Sequence, residues 1–212
     1  MTREERLALF ERELNLIHHP TIRSFVSDVL AEAPEYFFHV PASSSGKYHP
    51  AYSLGEGGLV RHTKAAVKIA ESLIRADAHD WSDDFTISVD EFSSIVIGAL
   101  ILHDTYKLGI VKSGEEQPKH SDHAHPEIIF SVISQKANEW ANERKVDRDE
   151  YAVLNLMAFA VRTHMGKWTV SPHSPVILTE PYNWVERFVH MCDYLASRKF
   201  IDVKQLEGDT NE

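Results

Sequence analysis

The sequence predicts an all-α single domain, a helical bundle, and three observations carry that prediction. Apolar residues recur at helical spacing along most of the chain. No segment alternates apolar and polar residues as a half-buried strand does. No Asn-Gly or Asp-Gly pair marks a hairpin. At roughly 150 residues per domain, 212 residues make one domain, large enough to bury a core without disulfides or a structural metal.

The elements follow in order. Thr2 and Glu5 form a capping box, after which Leu7, Phe10, Leu14 and Ile17 recur at helical spacing. Pro20 suits the first turn of a second helix carrying Ile22, Phe25, Val29 and Leu30, which stops before Pro34. These N-terminal helices occupy about residues 1–33. Residues 34–57, rich in Pro, Ser, Gly and aromatics, read as a long ordered loop, because the aromatics need something to pack on. Helical spacing returns from Leu59 to about Arg75. Asp90 is placed to cap a helix whose core, SSIVIGALILH, is apolar on every side and therefore belongs at the centre of the bundle. Further helices are expected at about 124–142, at 148–165 behind Asp147 and Glu150, and at 181–199 with Pro181 in the first turn.

Composition bounds the function. Basic residues number 22 and acidic residues 32, a net charge of −10 with histidines neutral. So acidic a surface repels long polyanions and argues against extended nucleic-acid binding, while leaving room for a local basic pocket. The single cysteine, Cys192, excludes an intramolecular disulfide and a thiolate-rich zinc site, and suits the reducing cytoplasm. No apolar run approaches the ~20 residues of a membrane span, and MTREERLALFERE is too charged for a signal peptide. Against that one cysteine stand thirteen histidines, so any metal is bound by imidazole and carboxylate.

Several of those histidines interrupt apolar helices. His62 follows the pair Gly57-Gly58; His103 and Asp104 end the buried helix in LILHDTYK; His125 lies in SDHAHPE. His164 closes a helix in VRTHMGKW, where Gly166 is a suitable stop, and Asp193 lies mid-helix in VHMCDYLASRK. Buried ionisable groups are costly unless paired or metal-bound, so these interruptions point to one shared polar centre. Neutral imidazole and carboxylate suit Mn, Fe, Zn, Co or Ni, and Mg is also accommodated. Neighbours on a helix diverge by about 100°, so His103 and Asp104 converge only where the helix ends.

The ordered set resembles the HD-domain metal-dependent phosphohydrolases. The similarity runs from about Tyr48 to Phe200 and includes GEGGLVRHT, GALILHDTYKLG, THMGKW and HMCDYLASRK. It implies that His62, His103, Asp104 and Asp193 hold a first metal. In two-metal members Asp104 bridges, and His125 and His164 match the positions that hold the second. Lys107 matches a lysine that faces the phosphate. The family logic is two cations ~3.5–4 Å apart activating a water for in-line attack, with no covalent nucleophile from the protein.

Some alternatives stay open. His123 competes with His125 in DHAHP, and His125 is preferred because Pro126 fixes the first turn after it. His190 reads as a neighbour of Asp193 rather than a ligand. SSSGK lacks the spacing of a nucleotide-binding loop, since Pro41 and Tyr48 stand where Gly and Ser or Thr belong. Lys47, Tyr48 and His49 form a candidate substrate lid, set against an ordinary surface turn. Arg198 is a candidate phosphate contact, and Lys167 with Trp168 a candidate base contact. The first functional reading is hydrolysis of a nucleotide or other small phosphate ester. The second is a 3'-5' exonuclease or phosphodiesterase acting on single-stranded nucleic acid. The third is a non-enzymatic metal-binding interaction protein. A homodimer is compatible with all three. After Asp104 the chain reads TYKLG, without the His-Asp-x-Gly-Tyr-Pro signature of cyclic-dinucleotide phosphodiesterases.

Overall fold

Thr2 opens the first helix as its capping box predicts. Its hydroxyl accepts from Glu5 N at 3.2 Å, and the Glu5 carboxylate accepts from Thr2 N at 2.8 Å. The periodic stretch that follows is two helices rather than one. α1 (Arg3–Leu9) stops at Phe10, whose backbone (φ −113°, ψ 16°) leaves the helical region, and α2 (Glu11–Asn15) then resumes. The break accompanies a fully buried Phe10 that stacks on Phe37 with centroids 6.0 Å apart.

The computed structural model describes residues 1–44, 46, 47, 49–77, 87–111 and 116–201. Among these the fold is all-α: eight α-helices, two 3-10 turns and no strand, with one isolated bridge between Ser171 and Ser174. α3 (Pro20–Ala31) begins with its proline and buries Ile22, Phe25, Val26, Val29 and Leu30. The remaining helices are α4 (Gly58–Asp77), α5 (Val89–Leu102), α6 (His125–Asn142), α7 (Arg148–Arg162) and α8 (Trp184–Ala196).

α5 is the central element, packed by α3, α4, α7 and α8. Ten of its fourteen residues are buried. At roughly 1.5–3 kcal/mol per large apolar side chain removed from water, no surface position competes for it. Its buried Ser94 hydroxyl accepts from His19 N at 3.1 Å, which ties the start of α3 to α5. The cap of α5 is Ser88, whose hydroxyl accepts from Glu91 N at 3.1 Å; Asp90 lies in the first turn instead.

Two other ends differ from the sequence expectation. α7, opened by the Asp147–Glu150 capping box, ends at Arg162 with Thr163 as its cap. α8 starts later than predicted because Asn183 Oδ1 accepts from Glu186 N at 3.0 Å, so Pro181 precedes the helix.

The described residues of the 34–57 segment pack as the aromatics among them require. Its 3-10 turns span Glu35–Phe38 and Ala51–Ser53. Tyr36, Phe37 and Phe38 are buried, and the backbone is fastened through Gly57 N to His39 O and Leu59 N to Val40 O. Gly58 matters here for close approach: a Cβ would lie 2.3 Å from the Ser53 carbonyl oxygen. The Tyr36 hydroxyl donates to Gly109 O at 2.8 Å and accepts from Leu108 N at 3.3 Å, anchoring the turns that follow α5. No helix among the described residues is long and apolar enough to cross a membrane.

Candidate metal centre

Five segments deliver six side chains to one buried point. His62 comes from α4, and His103 is the C-terminal cap of α5 with Asp104 directly after it. His125 is the first residue of α6, His164 lies two residues past α7, and Asp193 is on α8. Ending α5 at His103 lets two adjacent residues face the same space, as the sequence required.

The six divide into two triads, each with its ligand atoms within 4.8 Å of one another: His62, His103 and Asp193; and Asp104, His125 and His164. In the first, His62 Nε2 lies 2.9 Å and His103 Nε2 3.5 Å from Asp193 Oδ1. Asp104 faces both triads. Its Oδ2 stands 3.4 Å from His103 Nε2 and 3.8 Å from His62 Nε2, while its Oδ1 stands 3.1 Å from His125 Nε2 and 3.7 Å from His164 Nε2.

Local backbone aims three of the imidazoles. His103, His125 and His164 each donate Nδ1–H to the carbonyl three residues earlier: Leu100 O at 2.7 Å, Asp122 O at 2.6 Å and Val161 O at 2.7 Å. A carbonyl only accepts, so each Nδ1 carries hydrogen and a neutral ring presents its Nε2 lone pair to the centre. His125 and His164 thus bring Nε2 atoms to 3.1 Å in a buried space. Burial first, then the neighbouring His164 and Lys107, keeps the His125 pKa below its ordinary value despite Asp104. Two facing lone pairs beside a carboxylate oxygen repel unless a cation lies among them.

The electrostatics agree with a cation-binding site. Burial opposes ionisation of Asp104 and Asp193, yet both are held well below the usual carboxylate range. Lys107, His103 and His125 do this for Asp104, and His103 with His62 for Asp193. Between the two carboxylates, His103 is pushed up to about 10, their attraction outweighing its burial. Buried His103 Nε2 and Asp104 Oδ1 complete no hydrogen bond among the described residues. Ligands ~2.0–2.2 Å from one ion stand at most ~4.4 Å apart, and the separations of 2.9–3.8 Å between these atoms lie within that bound. The donor set therefore fits one or two divalent ions of imidazole–carboxylate preference.

The other candidate residues separate. The Lys107 ammonium pairs with Asp104 Oδ2. Arg198 lines the mouth of a cavity of about 180 Å³ over the first triad, together with His49, Met165, Trp168, Tyr194 and Ser197. Its guanidinium lies 4.3 Å over the Tyr194 ring and donates to Ser197 Oγ at 2.8 Å, which aims it. Lys167 is exposed, its ammonium 5.5 Å over Trp168, and it is not part of that wall. Lys47 is likewise exposed and off the wall, and Tyr48 lies outside the described residues.

His49, the remaining lid residue, does enter the cavity. Its ring centre is 6.0 Å from that of His62, and its pKa is lowered to about 4 by burial, His62 and Lys107. His123 turns away to the Thr169 carbonyl at 3.2 Å, so His125 is the histidine at the centre. His190 donates Nδ1–H to the His164 carbonyl at 2.7 Å and packs on Gly166, where a Cβ would fall 2.2 Å from its ring. Tyr194, Ser197 and Met165 are wall residues that sequence reasoning did not select; the Tyr194–Arg198 helical spacing was the available signal.

No family model, curated protein or solved structure matches this chain.

Proposed function

We propose that the protein is a metal-dependent phosphohydrolase that cleaves a phosphate ester, most simply that of a nucleotide or similar small molecule, with water as nucleophile. The observation that carries this reading is the Asp104 carboxylate, which turns one oxygen to each triad. That is the arrangement of a bridging ligand between two ions. Such ions would activate a water and neutralise phosphoryl oxygens.

The chain's own residues supply the rest. Lys107 and Arg198 bring two cations to the cavity wall, and no carboxylate except the ligand Asp193 lines it among the described residues. An anionic group is therefore drawn in beside the buried centre, where low dielectric strengthens each contact. His49 lines the same cavity, with its ring centre 6.0 Å from that of His62. The net charge of −10 favours a small substrate over a long nucleic acid.

The test is hydrolysis by chelator-stripped protein reloaded in turn with Mn, Co, Ni, Mg or Zn. Nucleoside mono- and triphosphates, a simple phosphodiester and a labelled single-stranded oligonucleotide are offered in parallel, with Asp104→Ala as control. Turnover of a small ester that needs both metal and Asp104 supports the reading. Stepwise shortening of the oligonucleotide alone would replace it with an exonuclease, and metal binding without any cleavage would leave a binding protein.

A further inference from the structure

Lys107 lines a second cleft as well as the metal cavity. This cleft, of about 290 Å³, lies between the 40–44 segment and residues 117–121. Pro41, Ala42 and Leu108 give it apolar walls, and Ser44 and Lys119 add polar groups at the rim. Its size is at the lower edge of the ~300–1,000 Å³ of small-molecule sites. The Ser44 hydroxyl meets His120 Nδ1 at 3.4 Å, joining the two segments that enclose it.

Three features mark the cleft as a ligand site. It shares with the metal cavity the one side chain whose ammonium pairs with the Asp104 carboxylate. Lys107 and Lys119 line it, and no carboxylate does among the described residues, in a chain with ten more acidic than basic groups. Apolar walls with hydrogen-bonding and cationic groups at the rim suit a ring system or sugar attached to phosphate better than phosphate alone.

We propose that this cleft holds one ester substituent of a phosphodiester whose phosphorus lies at the Asp104–Lys107 junction, with the other substituent in the metal cavity. This deepens the phosphohydrolase reading and rests on it: the substrate class is a small phosphodiester rather than a monoester. In the reaction, water oxygen bonds to phosphorus, and the bond to one ester oxygen breaks with its electron pair on that oxygen. Of the two water protons, one ends on the departing alcohol and one is released by the monoester product or to solvent. Lys107, between the two spaces, stays on the phosphoryl oxygens throughout.

The experiment compares thymidine 5'-(p-nitrophenyl phosphate), a diester, with p-nitrophenyl phosphate, a monoester, on Mn-reloaded protein. The quantity read is the ratio of their kcat/KM values in wild type, Lys119→Glu and Ser44→Trp. Lys119 and Ser44 are both exposed, so neither change disturbs the core. Lys145→Glu, which repeats the charge reversal at an exposed residue lining neither cleft, is the control. The expected result is a ratio that favours the diester in wild type. It falls about tenfold in Lys119→Glu and in Ser44→Trp, as for loss of a charged contact or of space, and holds in Lys145→Glu. A ratio unmoved by both rim changes, or moved equally by Lys145→Glu, overturns the second subsite while the phosphohydrolase reading stands. Metal-loaded wild type that cleaves neither ester removes that reading and the subsite with it.

Discussion

Asp104 Oδ1 stands 3.1 Å from His125 Nε2, while the other oxygen of the same carboxylate belongs with His62 and His103. One side chain thus has a separate set of partners for each oxygen. Removing Asp104 should cost both triads, and removing His125 only one. In metal analysis after dialysis, Asp104→Ala should retain essentially no ion, whereas His125→Ala should retain the ion of the His62–His103–Asp193 triad. Equal loss in the two variants would mean that the triads do not bind separately.

Lys107 gives a different signature. It pairs with Asp104 but is a cation and cannot ligate. Lys107→Met should leave metal content intact and lower kcat on the order of 10²-fold, the scale of losing one charge-stabilising contact. A wild-type rate in this variant would make Lys107 a structural partner only.

Gly166 has φ +62° and faces the His190 ring, with no room for a Cβ. Gly166→Ala should destabilise the protein by about 1–3 kcal/mol through strain and displacement of His190. Because His190 holds the His164 carbonyl, metal affinity should also fall. Chemical denaturation and a Mn titration check the two effects.

Proton linkage sets the pH dependence of the chelated protein. The His103 pKa rises from about 6.5 unfolded to about 10 folded, so its contribution is complete below pH ~6.5 and disappears as pH climbs toward 10. The Asp104 and Asp193 pKa values are lowered, so their contribution is present above about pH 4 and is lost on further acidification. Urea midpoints in chelator should therefore drop between pH 6.5 and 10. With Mn bound, the ion displaces the His103 proton, and the midpoint over that window should exceed the chelated value by a growing margin. A margin that shrinks with pH would show that His103 does not ligate.

Tyr36→Phe removes the hydroxyl that joins Gly109 O and Leu108 N. A cost of about 1–3 kcal/mol is expected, since a buried donor and acceptor lose their partner. Thermal unfolding measures it.

Much of this arrangement is written in local sequence. The capping boxes at Thr2 and Asp147 and the all-round apolar α5 each follow from chemistry within a few residues. The break at Phe10 does not, because it accompanies burial of that ring against Phe37, a partner far along the chain. The late start of α8 departs from the Pro181 reading because the Asn183 side chain caps the helix two residues further on. At the centre, four histidines and two aspartates in order identified the side chains that converge. What they could not convey was which oxygen of Asp104 meets which histidine, or that His49 enters the cavity while Lys47 stays outside. The first depends on how α4, α5, α6 and the end of α7 meet, and the second on how the described part of the 34–57 loop packs on α4, both long-range matters.

His62 and Asp193 are 131 residues apart in the chain, and His125 and His164 are 39 apart. Ions bound among them would clip the ends of these long spans together, and an unfolding chain must let go of every ligand of an ion at nearly the same moment. Such a clip contributes little until distant helices have already met, so it acts mainly on the rate of coming apart. Chelation would then be felt first as a shorter lifetime against proteolysis, with the resting shape of the helices much as before.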